Sequence, residues 1–268
     1  MKAGLRYVSP FVFVLHRFAL STIALLPFFL FWRSRLPRDR RTLIKLVILC
    51  LLFVGVIAAQ VYGLAGESSG MGAVLVYTQP IFVFCLAVPF LGEGVTKTRL
   101  FGVSLGFAGV VVLSANKVGS FTVDSTLVLL LSAFLWAMSV IFYKKSLSHV
   151  SPLIAQFFQL SLGIIPLMLL SLTENTPIIQ LDPSYIGILV FSSVAALALA
   201  DVIWLFLIKE EEATTIAGSS FLVPVAAMFF GWQLLGESLT AELLLGSVLT
   251  LGGVYILNRA GKKKNVKS

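Results

Sequence analysis

Two ionisable residues sit where a hydrocarbon solvent opposes them most. Arg17 lies inside the apolar run from Pro10 to Trp32, and Asp201 lies between Ala195–Ala200 and Val202–Phe206. A charge at the centre of a bilayer costs about 2.5–3.5 kcal/mol on insertion scales, so each demands a partner. For Arg17 the functional reading is a contact to an anionic substrate group such as a carboxylate. The structural reading is snorkelling, or hydrogen bonds to carbonyls of a neighbouring helix. For Asp201 the functional readings are proton coupling and the holding of a cationic amine. The structural one is a buried acid paired with a helix-end group.

Trp204 is three residues from Asp201 and shares its helical face. An aromatic ring beside an acid suits an amine through cation–π contact. Tyr77, Gln79, Trp136 and Gln156 are further candidates at substrate-binding depth. Core packing or interfacial anchoring explains most membrane aromatics and competes with that reading. Pro80 and Pro224 fall near the middle of their apolar runs. Each removes an amide donor and frees the carbonyl four residues earlier, at Val76 and Ser220. That chemistry suits a hinge with carbonyls facing a solute path, or a static kink.

Other chemistry is not visible. No Gly-x-x-x-x-Gly-Lys-Ser/Thr run occurs, so direct ATP use is not expected. No Asp-rich metal–diphosphate motif, His cluster or nucleophile with its base is visible, so no catalytic residue is assigned. The two histidines and two cysteines are well separated, and Cys50 and Cys85 both lie in apolar runs. They read as packed thiols, with no metal site and no cofactor.

The elements that must position these residues follow from composition. Of 268 residues, 58% are hydrophobic and 12% charged, against about a quarter charged in soluble domains. A bilayer accommodates such a chain, with spans of about 20 residues. The net charge of +8 does not point to nucleic acid, because the basic residues lie between apolar runs. Nine spans are expected, at 10–32, 43–65, 70–91, 99–115, 125–143, 152–172, 184–208, 213–235 and 241–258. The fold class is therefore all-α and polytopic. The first span ends at Arg33, Arg35, Arg38, Arg40 and Arg41, a stop-transfer pattern rather than a signal-peptide cleavage site.

The chain repeats itself. Val8-Ser9-Pro10 recurs as Val150-Ser151-Pro152, and Leu91-Gly92-Glu93 with Thr96 recurs as Leu235-Gly236-Glu237 with Thr240. Pro80, Gly102 and Gly109 match Pro224, Gly246 and Gly253, and Gln159 stands at the place of Arg17. A duplication explains landmarks in one order at nearly one spacing. Residues 1–116 form a first repeat of four spans, residues 125–259 a second of five, and residues 260–268 a basic cytoplasmic tail. The span at 125–143 has its counterpart upstream of Met1. The expectation is a late gene start or a fragment of a longer chain.

Charge orients the repeats. On alternate connections, one side gathers sixteen of the twenty basic residues, including Arg33–Arg41, Lys144, Lys145 and Lys262–Lys264. That side is expected to be cytoplasmic, with the C-terminus. Five spans per unit then make the second repeat enter from the opposite face, an inverted arrangement with two near-equivalent packings. Glu93 and Glu237 are expected to cap the last helix of each repeat. Gly102, Gly106 and Gly109, with Gly246, Thr250 and Gly253, form small-residue stripes for internal packing or for a homodimer face.

These residues carry a resemblance. The Arg17-Phe18 pair, Pro80, and the turn Gly92-Glu93-x-x-Thr96 leading into a glycine-rich helix, with their second-half equivalents, resemble EamA-type members of the drug/metabolite transporter superfamily. The resemblance covers essentially the whole chain. It implies a ten-helix fold of two five-helix repeats, here lacking the first helix. It also implies export or exchange of amino acids, drugs or other metabolites at a cell membrane. Two other classes stay open from the residues alone: an intramembrane enzyme acting on lipid, and a non-transporting sensor or assembly subunit.

Overall fold

A backbone surrounded by hydrocarbon can satisfy its amides only within itself, so the apolar runs fold as helices. The computed structural model describes residues 7–31, 36–67, 69–115, 122–174, 182–235 and 240–265. Among these residues the regular elements are all helical. They are α1 (Pro10–Phe31), α2 (Arg40–Ala65), α3 (Ser69–Val76), α4 (Gln79–Leu91), α5 (Lys97–Ser114), α6 (Val123–Ser146) and α7 (Pro152–Ser171), then α8 (Pro183–Ser193), a π-helical segment (Val194–Leu199), α9 (Ala200–Glu210), α10 (Ala213–Ser219), α11 (Leu222–Leu235) and α12 (Ala241–Asn265). Among the described residues, eight stretches are long and apolar enough to cross a bilayer. The large apolar side chains left uncovered, such as Phe191 at 72% exposure, need lipid as their partner.

Three expected spans are interrupted. The run at 70–91 breaks at Tyr77–Thr78 into α3 and α4, and the run at 213–235 breaks at Ser220–Phe221 into α10 and α11. Pro80 is the second residue of α4 and Pro224 the third of α11, where a missing amide proton costs no helical bond. The prolines therefore open second segments instead of kinking continuous helices. The Ser220 carbonyl is not left free, because it accepts the Val223 amide at 3.0 Å. In the run at 184–208 the π segment intervenes. At the chain's end, α12 continues through Ala260–Asn265, residues expected to form a tail. Lysines are good helix formers, and cations suit a helix C-terminus.

The caps are local. Asp39 accepts the Thr42 amide at 2.7 Å before α2, Thr96 the Arg99 amide at 3.2 Å before α5, and Asp182 the Tyr185 amide at 2.8 Å before α8. The Thr42 hydroxyl, then its amide, hold the Asp39 carboxyl below the usual carboxylate range.

The chain forms two compact units, residues 1–61 with 142–210 and residues 62–141 with 211–268, so each takes helices from both sequence halves. In the first, α1 packs on α7 and on the α8–π–α9 helix. Its core contains Phe11, Val14, Phe18, Leu25, Cys50, Val54, Leu160 and Leu167. The start of α2 adjoins the α6–α7 turn, with Thr42 Oγ1 3.4 Å from His149 Nε2 and Lys45 Nζ donating to the Ser146 carbonyl at 3.4 Å. Glu174 ties down α1 by accepting from the Ser9 hydroxyl at 2.5 Å and the Phe11 amide at 2.9 Å.

In the second unit the dominant contact is α5 against α12. The glycine stripes meet there: a Cβ on Gly246 would stand 2.8 Å from the Leu113 nitrogen and 2.9 Å from the Gly109 oxygen. These stripes serve internal packing, backbone against backbone.

Candidate functional site

The polar groups of the first unit gather where α8 loses its α-helical pitch. In the π segment the Ala200 amide bonds the Ala195 carbonyl, five residues back. The wider turn disturbs the i to i−4 ladder, and such segments recur at functional sites. Carbonyls at and just before it accept from side chains of α1 and α7. Arg17 Nη2 donates to the Ser192 carbonyl at 3.2 Å, Ser21 Oγ to the Ser193 carbonyl at 2.8 Å, and Gln156 Nε2 to the Leu197 carbonyl at 3.1 Å.

One turn further on, Asp201 opens α9 and accepts from the same Gln156 nitrogen at 3.3 Å. Gln156 is 1% exposed, so its amide cannot trade these acceptors for water. Arg17 and Asp201 thus stand in the same unit, one on α1 and one on α9. The Arg17 guanidinium carbon also stands 5.8 Å from the centre of the Phe13 ring, within cation–π range. A neutral pair is far easier to keep in lipid than either charge alone. Among the described residues, four buried polar atoms in this unit have no hydrogen-bond partner: Arg17 Nε, Tyr143 Oη, Gln159 Oε1 and Ser193 Oγ. Each is a group that a polar ligand can satisfy.

Of the residues singled out from the sequence, Arg17, Gln156 and Asp201 come together here. Trp204 follows on α9, half-buried. Tyr77, Gln79 and Trp136 belong to the second unit. Tyr77 sits at the α3–α4 break and packs against Val110, Phe221 and Val254. Gln79 is the buried first residue of α4, and Trp136 is half-buried on α6, its carbonyl accepting from Ser139 Oγ at 2.7 Å.

Sequence reasoning missed Ser21, Ser193 and the π segment. The stretch Val194–Leu199 contains only Val, Ala and Leu, and nothing in it announces a change of pitch. Gln159 carried a signal, as the repeat's match to Arg17. A further pair, His16 Nδ1 and the Tyr185 hydroxyl at 2.7 Å, joins α1 to α8. Glu237 lies outside the described residues.

A set of membrane-length helices, two of them broken at matching places, with a half-buried arginine on α1 and a half-buried carboxylate on α9, has counterparts. The model of the EamA-like transporter family matches twice, over residues 1–115 and 125–259. The chain is 25% identical over 261 residues to the "Uncharacterized transporter YoaV" of Bacillus subtilis strain 168, covering 96% of this chain and 89% of that one. It is 30% identical over 268 residues to a "Probable amino-acid metabolite efflux pump" of Salmonella typhimurium strain LT2, covering 96% of this chain and 88% of the relative. A solved crystal structure shares the fold, with a TM-score of 0.85 at 16% identity over 98% of this chain and 91% of that chain. The chain belongs to the EamA-like transporter family, a family of multi-pass membrane transporters and not of enzymes.

Proposed function

We propose that this protein is a secondary transporter exporting or exchanging a small zwitterionic metabolite, an amino acid or a related amphiphile, by alternating access. The observation that carries the reading is the placement of Arg17 and Asp201 in one unit about the π segment, the guanidinium donating to the Ser192 carbonyl and the carboxylate accepting from Gln156. A zwitterion presents the charges the pair can bind: its carboxylate to the guanidinium, its ammonium to Asp201. Binding then exchanges one neutral set of partners for another, which avoids an uncompensated charge in lipid. The similarity to an amino-acid metabolite efflux pump supports the same solute class.

The repeated sequence supports an inverted pair of five-helix units, with the arginine-rich connections and the C-terminus cytoplasmic. Breaks at corresponding places of the two halves, Tyr77–Thr78 and Ser220–Phe221, are where such folds bend between their states. Pro80 and Pro224 then fix where the second segment of each helix starts to pivot. Gradients of substrate or protons supply the energy.

The test is counterflow in proteoliposomes with a panel of labelled amino acids. Trans-stimulated uptake of at least one member is expected, with about a tenfold or greater loss in Arg17→Gln and Asp201→Asn, since a charged hydrogen bond is worth about 1.5–3 kcal/mol. Flux untouched by both substitutions would remove the pair as the binding site. Absence of flux for every solute would favour a non-transporting role.

A further inference from the structure

Glu93 does not serve the helix it precedes. That duty falls to Thr96, whose hydroxyl accepts the Arg99 amide. The Glu93 carboxylate, only 7% exposed, instead reaches the start of α10. Its Oε1 accepts the Ala213 amide at 2.6 Å and its Oε2 the Thr214 amide at 3.2 Å. These are the first two amides of a helix 120 residues away, groups with no partner inside their own helix. Gly92 aims the carboxylate: it closes α4 in the left-handed region, with φ at 69°, and the Glu93 amide returns to the Ala87 carbonyl at 3.3 Å.

The remaining partners interlock with this contact. Glu212 is the N-cap residue of α10, yet its carboxylate pairs with Arg99 instead of capping its helix. Arg99 is 3% exposed and also donates Nη1 to the Gly94 carbonyl at 2.9 Å. All of these groups lie in the second unit. They join the turn that follows the broken helix α3–α4 to the start of the broken helix α10–α11.

A static brace needs no such exchange of roles. A helix whose N-cap reached its own amides would keep its start wherever it moved. Here the protein partner of the first two α10 amides is the Glu93 turn, 120 residues away. Both sides of the contact are at helix ends, where water can take over the carboxylates, the guanidinium and the two amides after separation. The contact is therefore strong when closed and has a satisfied open state.

We propose that Glu93, with Arg99 and Glu212, is a gate latch: its hold on the Ala213 and Thr214 amides closes the transporter at this end, and access from this face requires its release. The proposal rests on the alternating-access reading above, and its test needs no transported solute. Full-length chain carrying Cys50→Ala and Cys85→Ser receives one reporter thiol, Thr215→Cys on α10, a position 8% exposed. Labelling by a membrane-impermeant maleimide is timed in proteoliposomes. Glu93→Gln is expected to raise the labelling rate about tenfold, in the range of ordinary coupling between sites, and Glu212→Gln to raise it by less. A second reporter, Leu46→Cys in the other unit, a position 1% exposed, is expected to keep its rate. A Thr215→Cys rate within about twofold of the parent in Glu93→Gln overturns the latch. So does an equal rise at both reporters, which would mean general loosening. Should Glu93→Gln not yield monodisperse protein, Arg99→Lys decides by the same readout. Faster labelling without any solute flux would sink the transport reading and leave the latch; flux with flat labelling would do the reverse.

Discussion

Gln156 and Asp201 share a hydrogen bond of 3.3 Å, and the same Gln156 nitrogen gives its other contact to the Leu197 carbonyl at 3.1 Å. One amide thus fastens α7 to both the π segment and the acid that follows it. Replacing Gln156 by Leu leaves both acceptors without this donor. Interhelical hydrogen bonds in membranes average about 0.6 kcal/mol and reach about 1.7, so a stability loss of about 1–2 kcal/mol is expected. Thermal unfolding in detergent micelles measures it. Solute flux is expected to fall further than stability, because Asp201 loses its orientation.

The α5–α12 contact makes a sharper prediction. Gly246→Ala drives a methyl group onto the Leu113 nitrogen and the Gly109 oxygen, backbone atoms that no rotamer change can clear. A destabilisation of about 1–3 kcal/mol follows, as for overpacked interiors. Gly252→Ala is the control: its Cβ meets only Leu105 Cδ2, at 3.6 Å. Helix propensity favours alanine by about 1 kcal/mol, so this variant should be neutral or more stable. Equal melting temperatures for the two variants would contradict the packing argument.

Acid should loosen the first turn of α2. The Thr42 hydroxyl and amide hold the Asp39 carboxyl below its usual range, so the folded state favours the charged form. A lowered folded value gives stability that is complete above the unfolded value, about 3.9, and lost as pH falls through the folded one. Hydrogen-exchange protection at the Thr42 amide should therefore decline below about pH 4. In Asp39→Ala it should be low at every pH and flat.

The proximity of Thr42 to His149 places the start of α2 and the α6–α7 turn at one face. Single thiols at Arg38→Cys and Ser148→Cys, with Cys50 and Cys85 replaced, should react with impermeant reagent from the same side. Labelling from opposite sides would dismantle the expected topology and the inverted repeat with it.

Much of this was legible in the residues. Span positions follow from apolar run length, which lipid enforces without help from tertiary contacts. Arg17 and Asp201 announced themselves because a charge in an apolar run has few explanations. Gln156 was reachable as an amide at the same depth. The π segment was not, since Val194–Leu199 is a set of side chains equally content in an α-helix, and the pitch is set by neighbours. The breaks near Pro80 and Pro224 were half legible: proline marked the place, but whether a helix bends or restarts depends on caps and turns one or two residues earlier. Glu93 was expected to cap α5, but Thr96 caps that helix and Glu93 instead accepts the first amides of α10. Its helix lies 120 residues away, and local sequence cannot show such a partner.

The seam of Gly102, Gly106 and Gly109 with Gly246, Thr250 and Gly253 has a mechanical consequence. Where main chains touch, as at Gly109 with Gly246 and Gly106 with Gly253, there is little side-chain volume to reshuffle, so α5 and α12 are built to travel as one keel. A tether across that keel would follow the molecule through its cycle without hindering it, which makes the pair a fixed frame against which the bending of α3–α4 and α10–α11 can be measured.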